Sequence, residues 1–141
     1  MPTYHFTYAS VIESEEKMLD DVSAALAEND ISDDEFHRMT LVISEAFTNA
    51  LTHGNGRDPK KRIYVHLDIN QNMICADIID EGRGALDRIE RKRPPEPLAE
   101  NGRGIDLIRH CTDEAIFQEH ESGGLRVSVV VKRQKRANIH M

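Results

Sequence analysis

A chain of 141 residues, 39% hydrophobic and 30% charged, has the composition of one soluble globular domain with a single core. A net charge of −7 excludes unspecific nucleic-acid binding, which needs a positive field. The absence of any apolar run near the ~20 residues of a membrane span, and of a signal-peptide pattern in "MPTYHFTYAS", leads us to expect a cytoplasmic protein without a membrane anchor. The two cysteines, Cys75 and Cys111, lie far apart in apolar stretches. They predict buried free thiols rather than a disulfide scaffold or metal site.

In chain order, "TYHFTY" (3–8) alternates and reads as a short strand. Ser10 with Glu13 predicts a capping box opening a helix that carries Val11, Met18, Leu19, Val22 and Leu26 and ends near Asn29. Ser32 with Glu35 predicts a second capping box and a second, longer helix, stopped by Gly54-Asn55-Gly56. "RIYVHLDI" (62–69) alternates, and "MICADII" (73–79) is more continuously apolar; with "NQN" between them they predict a hairpin. A stretch of 17 residues with three prolines (85–101) follows, too long to be an ordinary connection. A short helix from about Gly104 to Cys111 and two strands joined at "ESGG" complete the domain. The order βααββ, loop, αββ predicts an α+β, two-layer sandwich, with helices on one face of a mixed or antiparallel sheet and the other face open or covered by a partner. The single domain spans residues 1–141.

Three short stretches carry chemistry. In the helix that contains "LVISEAFTNALTHG" (41–54), Phe36, Met39, Ile43, Phe47 and Ala50 form one apolar stripe. Glu45 and Asn49 fall one turn apart on the other side, among mild or apolar neighbours rather than solvated charges. In "DIIDEGRGA" (77–85), Asp80 ends a strand before Gly82 and Gly84, whose freedom from a Cβ permits close backbone approach to a ligand. In "ENGRGIDLI" (100–108), Gly102 and Gly104 lead into a helix whose free N–H groups and dipole favour phosphate. Each stretch taken alone is equally well explained as a solvated face, a loop turn or an ordinary helix start. Two runs, "RDPKKR" (57–62) and "RIERKR" (88–93), are locally basic and would suit an anionic ligand or partner as well as solvent.

Taken in order, E-x-x-x-N-A, D-x-G-x-G, a long lid and G-x-G-I resemble the Bergerat-type ATP-binding fold of gyrase, heat-shock chaperones and sensor histidine kinases. "SEAFTNALTHGN" is similar above all to the bacterial anti-sigma factor serine/threonine kinases and their small stand-alone ATPase relatives, over roughly residues 3–133. The resemblance implies ATP and Mg²⁺ as cofactors, with Asn49 as the metal ligand and Glu45 as the general base beside the γ-phosphate. It implies that Asp80 accepts the adenine amino group. Gly82, Gly84, Gly102, Arg103 and Gly104, with a lid at about 85–101, would close over the phosphates, and Arg83, Arg91, Lys92 and Arg93 are further candidate cations. It also implies an anti-anti-sigma protein as the phosphorylated partner, a sigma factor as the sequestered one, and a possible homodimer. One departure is Leu125, which stands in "SGGLRV" near a position where many relatives carry a Thr that supports adenine. The alternatives are a histidine-kinase catalytic domain, for whose phosphoacceptor helix this chain has no room, and a regulatory module that binds ATP without transferring phosphate.

Overall fold

The computed structural model describes residues 2–83, 100–121 and 123–134, residues 100–103 by their backbone alone. Its elements are β1 (Thr3–Ala9), α1 (Glu13–Ala27), α2 (Asp33–Asn49) running into a π-helical turn (Ala50–Gly54), β2 (Arg62–Ile69), β3 (Met73–Ile79), α3 (Glu100–Cys111), β4 (Glu114–Glu119) and β5 (Leu125–Lys132). The strands form one five-stranded sheet in the order β1-β2-β3-β5-β4, and every neighbouring pair is antiparallel. The expected two-layer α+β architecture is therefore observed, with the antiparallel form of the two sheet types expected.

Strand alternation sets which residues reach the core. Ile63, Val65, Leu67 and Ile69 of β2, Ile74, Ala76 and Ile78 of β3, and Val127, Val129 and Val131 of β5 all point under the helices and are buried. Onto them pack Met18, Val22 and Leu26 from α1 and Met39, Val42, Ile43, Ala46 and Phe47 from α2. Leu19 of α1 is 36% exposed. Among the described residues no helix covers the opposite sheet face. Across it the register lines up His5, His66, Asp77, Ser128 and Ile116. The His5 and His66 rings meet edge-on at 4.4 Å, Arg126 pairs with Asp77 at 2.7 Å, and Ile116 is 55% exposed.

The second capping box forms as expected: the Ser32 hydroxyl accepts from the Glu35 N–H (3.1 Å) and the Glu35 carboxylate from the Ser32 N–H (3.0 Å). The first does not. Helix α1 starts at Glu13 behind Ile12, with no side-chain cap. Ser10 is fully buried, and its hydroxyl accepts from Asn55 Nδ2 at 2.6 Å instead. The hydroxyl just ahead of the helix takes a long-range partner that local spacing does not announce. Cys75 and Cys111 are free, as expected, but half-buried rather than buried. Burial pushes the Cys75 thiol up, reinforced by Asp68, Asp77 and Glu114. No helix among the described residues is long and apolar enough to cross a membrane.

Candidate functional site

Helix α2 positions the first pair. Glu45 and Asn49, four residues apart, share the side of α2 that faces α3, and the glycine at 104 brings the α3 backbone against them. A Cβ built on Gly104 would stand 3.1 Å from both Asn49 Nδ2 and Glu45 Oε2, and 3.5 Å from Asn49 Oδ1. A carboxylate and a carboxamide thus converge on the spot where Gly104 lacks a side chain. They line an open cleft of about 590 Å³ together with Glu15, Thr48, Arg57 and Gly104. The Thr48 hydroxyl donates to Glu15 Oε1 at 3.3 Å, tying the start of α1 to the same helix face.

Asp80 sits beyond the π-helical turn, 2% exposed and outside this cleft. Its Oδ1 accepts from the backbone N–H groups of Gly82 (2.9 Å) and Leu125 (3.0 Å). Three glycines make the approach possible. A Cβ at Gly54 would overlap the Asp80 carboxylate, one at Gly82 the Gly54 carbonyl, and one at Gly124 the Asp80 carbonyl. The 3.6-residue helix loosens into the π turn just before this point, through the Asn55 N–H to Ala50 O bond of 2.7 Å. Asn55, 2% exposed, clamps the surroundings. Its Nδ2 donates to Ser10 Oγ (2.6 Å) and Arg62 O (2.9 Å), and its Oδ1 accepts from the Glu81 N–H (2.7 Å).

Of the residues predicted from sequence, Glu45, Asn49 and Gly104 come together directly, and Asp80 and Gly82 form a second cluster reached through Gly54. One expectation is corrected. Helix α3 begins at Glu100, so Gly102 and Gly104 lie inside it rather than ahead of it. The helix therefore offers its unpartnered N–H groups at Glu100 to Gly102, ahead of Gly104. Packing of Ile105 and Ile108 into the core holds the helix despite the propensity cost of its two glycines. At Gly104 the absence of a side chain leaves room beside Glu45 and Asn49. Gly84 and the basic residues Arg91, Lys92 and Arg93 lie outside the described residues, as does the lid except for Glu100 and Asn101, which open α3; the side chain of Arg103 is likewise outside them. Sequence reading missed Asn55, Ser10 and Gly124 as parts of the site. The "HGN" after the helix was legible as a stop signal, but nothing local ties Asn55 to Ser10.

Among the described residues no group of three or more His, Cys, Asp and Glu could hold a metal ion. The oxygens of Asn49 and Glu45 are nevertheless hard donors facing one empty space. That suits a cation which keeps water and phosphate oxygens as most of its ligands.

Residues 9–131 match the family model of the histidine kinase-like ATPase domain. An anti-sigma F factor from Geobacillus sp. (strain WCH70) is 30% identical over 128 residues, 87% of each chain. Another, from Halalkalibacterium halodurans, is 36% identical over 98 residues, 66% of each. Among solved structures, the RsbU and RsbW domains of Rv1364c from Mycobacterium tuberculosis share the fold, with a TM-score of 0.73 at 20% identity. That match covers all of this chain and 35% of the other. The glycine-lined Asp80, the Glu45–Asn49 pair and these matches lead to one assignment: the chain belongs to the histidine kinase-like ATPase domain family and, within it, groups with the anti-sigma F factors.

Proposed function

We propose that this chain is an ATP-dependent protein serine/threonine kinase that also acts as an anti-sigma factor, holding a sigma factor and phosphorylating a serine on an anti-anti-sigma protein. The observation that carries this reading is the convergence of Glu45 and Asn49 on Gly104. Phosphoryl transfer is mostly positioning and neutralisation of phosphate charge. It needs a base at the attacking hydroxyl and an oxygen for the metal, and both are present side by side in a cleft open to a partner. Asn49 would hold Mg²⁺, which when bound supplies part of the neutralising charge. Glu45 would take the proton of the serine hydroxyl. Asp80, with Oδ1 already fixed by two N–H groups, would receive the adenine amino group on its other oxygen. The Leu125 N–H bond to Asp80 stabilises that carboxylate without the hydroxyl many relatives carry there. Gly82, Gly84, Gly102, Gly104 and Arg103 would let backbone and charge close on the phosphates. The half-polar open sheet face leaves room for a second copy.

The test is incubation with γ-labelled Mg-ATP and the anti-anti-sigma protein of the same cell. Label on a serine of that protein is expected. Glu45→Ala should cut transfer by about 10²–10⁴-fold with ATP affinity kept. Binding of ATP with no label on any protein would leave a regulatory module and remove the kinase reading.

A further inference from the structure

Arg57 has no role in the function proposed above, yet three observations single it out. It lines the cleft with Glu15, Glu45 and Asn49, and among the described residues there it is the one with a permanent positive charge. Its guanidinium makes no hydrogen bond or ion pair with any described residue. Arg38, Arg126 and Arg133, by contrast, are tied to Asp34 and Asp113, to Asp77, and to Glu35. Its backbone, finally, is in the left-handed region, with φ +59° directly after Gly56 at φ +60°.

That conformation closes the end of α2: the Arg57 N–H donates to Leu51 O at 2.8 Å. The turn uses the backbone of residue 57 and nothing of its side chain. Glycine would adopt it freely, whereas an L side chain other than Asn or Asp is disfavoured there. The chain thus carries a long charged side chain where local structure favours none, and directs it to a cleft holding two carboxylates. Strain of this kind persists where the side chain has work to do.

We infer that Arg57 is a ligand of the terminal phosphate of the bound nucleotide. The inference rests on the ATP reading above. Asp80, the base-recognising group in that reading, does not line this cleft, whereas Glu45 and Asn49 do. The charge on Arg57 therefore meets the phosphate end. A guanidinium offers paired N–H donors to phosphate oxygens and stays charged at any working pH. It also offsets the repulsion that Glu15 and Glu45 exert on an incoming polyanion.

The experiment compares wild type, Arg57→Gly and Arg57→Lys by calorimetric titration with Mg-ADP and a non-hydrolysable Mg-ATP analogue, and by thermal melting without nucleotide. Arg57→Gly should weaken the analogue about tenfold or more, leave ADP nearly unchanged, and raise the melting temperature by about 3 °C through relief of backbone strain. Arg57→Lys should keep part of the analogue affinity without the thermal gain. Opposite signs in affinity and stability are what a purely structural residue does not give. Equal losses for ADP and analogue, or unchanged affinity for both, would overturn the assignment. Unchanged affinities with lost transfer to the protein substrate would overturn it in favour of partner docking. A wild type that binds neither nucleotide overturns this inference together with the ATP reading, whereas wild-type binding with an indifferent Arg57→Gly overturns this inference alone.

Discussion

The two ends of α2 each bury a carboxylate beside them, and the two are built by different means. At the start, Glu35 is 3% exposed and is satisfied wholly by the chain. It takes the Ser32 N–H at 3.0 Å and the Gln134 N–H at 2.8 Å, with Arg133 Nε 3.8 Å away. At the far end, Asp80 is 2% exposed and is surrounded by backbone brought close by Gly54, Gly82 and Gly124. Backbone N–H groups meet both carboxylates, but at Glu35 the nearby charge of Arg133 is added, whereas at Asp80 missing side chains make the room.

The sharpest break of that contrast is Gly82→Ala. Its Cβ would overlap the Gly54 carbonyl, and neither backbone can yield without moving Asp80. We expect a loss of more than about 4 kcal/mol, the exceptional range for one substitution, read as failure to melt cooperatively or loss of nucleotide binding. Gly56→Ala is the control: φ is +60° but nothing lies within 4 Å, so only the conformational cost of about 1 kcal/mol applies. Equal losses in the two variants would mean that close approach does not organise the Asp80 end.

Next comes Asn55→Ala, which removes the partner of the Ser10 hydroxyl, the Arg62 carbonyl and the Glu81 N–H at once. Three lost bonds, one of them to a buried hydroxyl, should cost about 2–4 kcal/mol in denaturant unfolding. Because Asn55 braces the strand end that carries Asp80, nucleotide affinity should fall with it. Full affinity in the destabilised variant would show that the clamp serves the fold alone.

These positions mark where the sequence could be read and where it could not. The strands of β2 and β3, the apolar stripe of α2 and the Ser32–Glu35 box follow from periods and spacings of a few residues, and all appear as expected. Glu45 and Asn49 were legible for the same reason, since i and i+4 face one way on a helix. What local pattern could not give is contact between distant segments. Ser10 reads as a helix cap until Asn55, 45 residues away, takes its hydroxyl. Gly104 reads as a loop glycine until α3 is seen to begin at Glu100. Gly124 reads as a turn residue until its Cα is found against Asp80.

Gly104→Ala moves the comparison from the closed end to the open cleft. Alanine favours a helix over glycine by about 1 kcal/mol, so stability should hold or rise. The new methyl would lie 3.1 Å from Asn49 Nδ2 and Glu45 Oε2, displacing the two heads by a few tenths of an ångström. Misplacement of this order should reduce phosphoryl transfer by up to about 10²-fold. A melt and a single-turnover assay on the same preparation check both halves, and wild-type transfer would mean the pair is not what positions the reaction.

The smallest effect belongs to the start of α2, and pH separates it from the rest. Burial by itself raises the Glu35 carboxyl, but the N–H groups of Ser32 and Gln134, the Ser32 hydroxyl and Arg133 together outweigh it and hold it below its ordinary 4.5. A carboxylate whose folded value is depressed stabilises the fold above its unfolded value and loses that contribution as pH falls through the folded one. Glu35→Gln sets an amide donor against N–H donors and removes the charge opposite Arg133, so it should cost about 1–3 kcal/mol at pH 7. The gap between wild type and variant should stay constant down to about pH 5 and narrow below 4.5, where the wild-type carboxylate becomes protonated in the unfolded chain first. Nucleotide affinity at pH 7 should be untouched. A gap independent of pH would mean that Glu35 acts by shape rather than charge, and a loss of nucleotide binding would erase the distinction between the two ends of the helix.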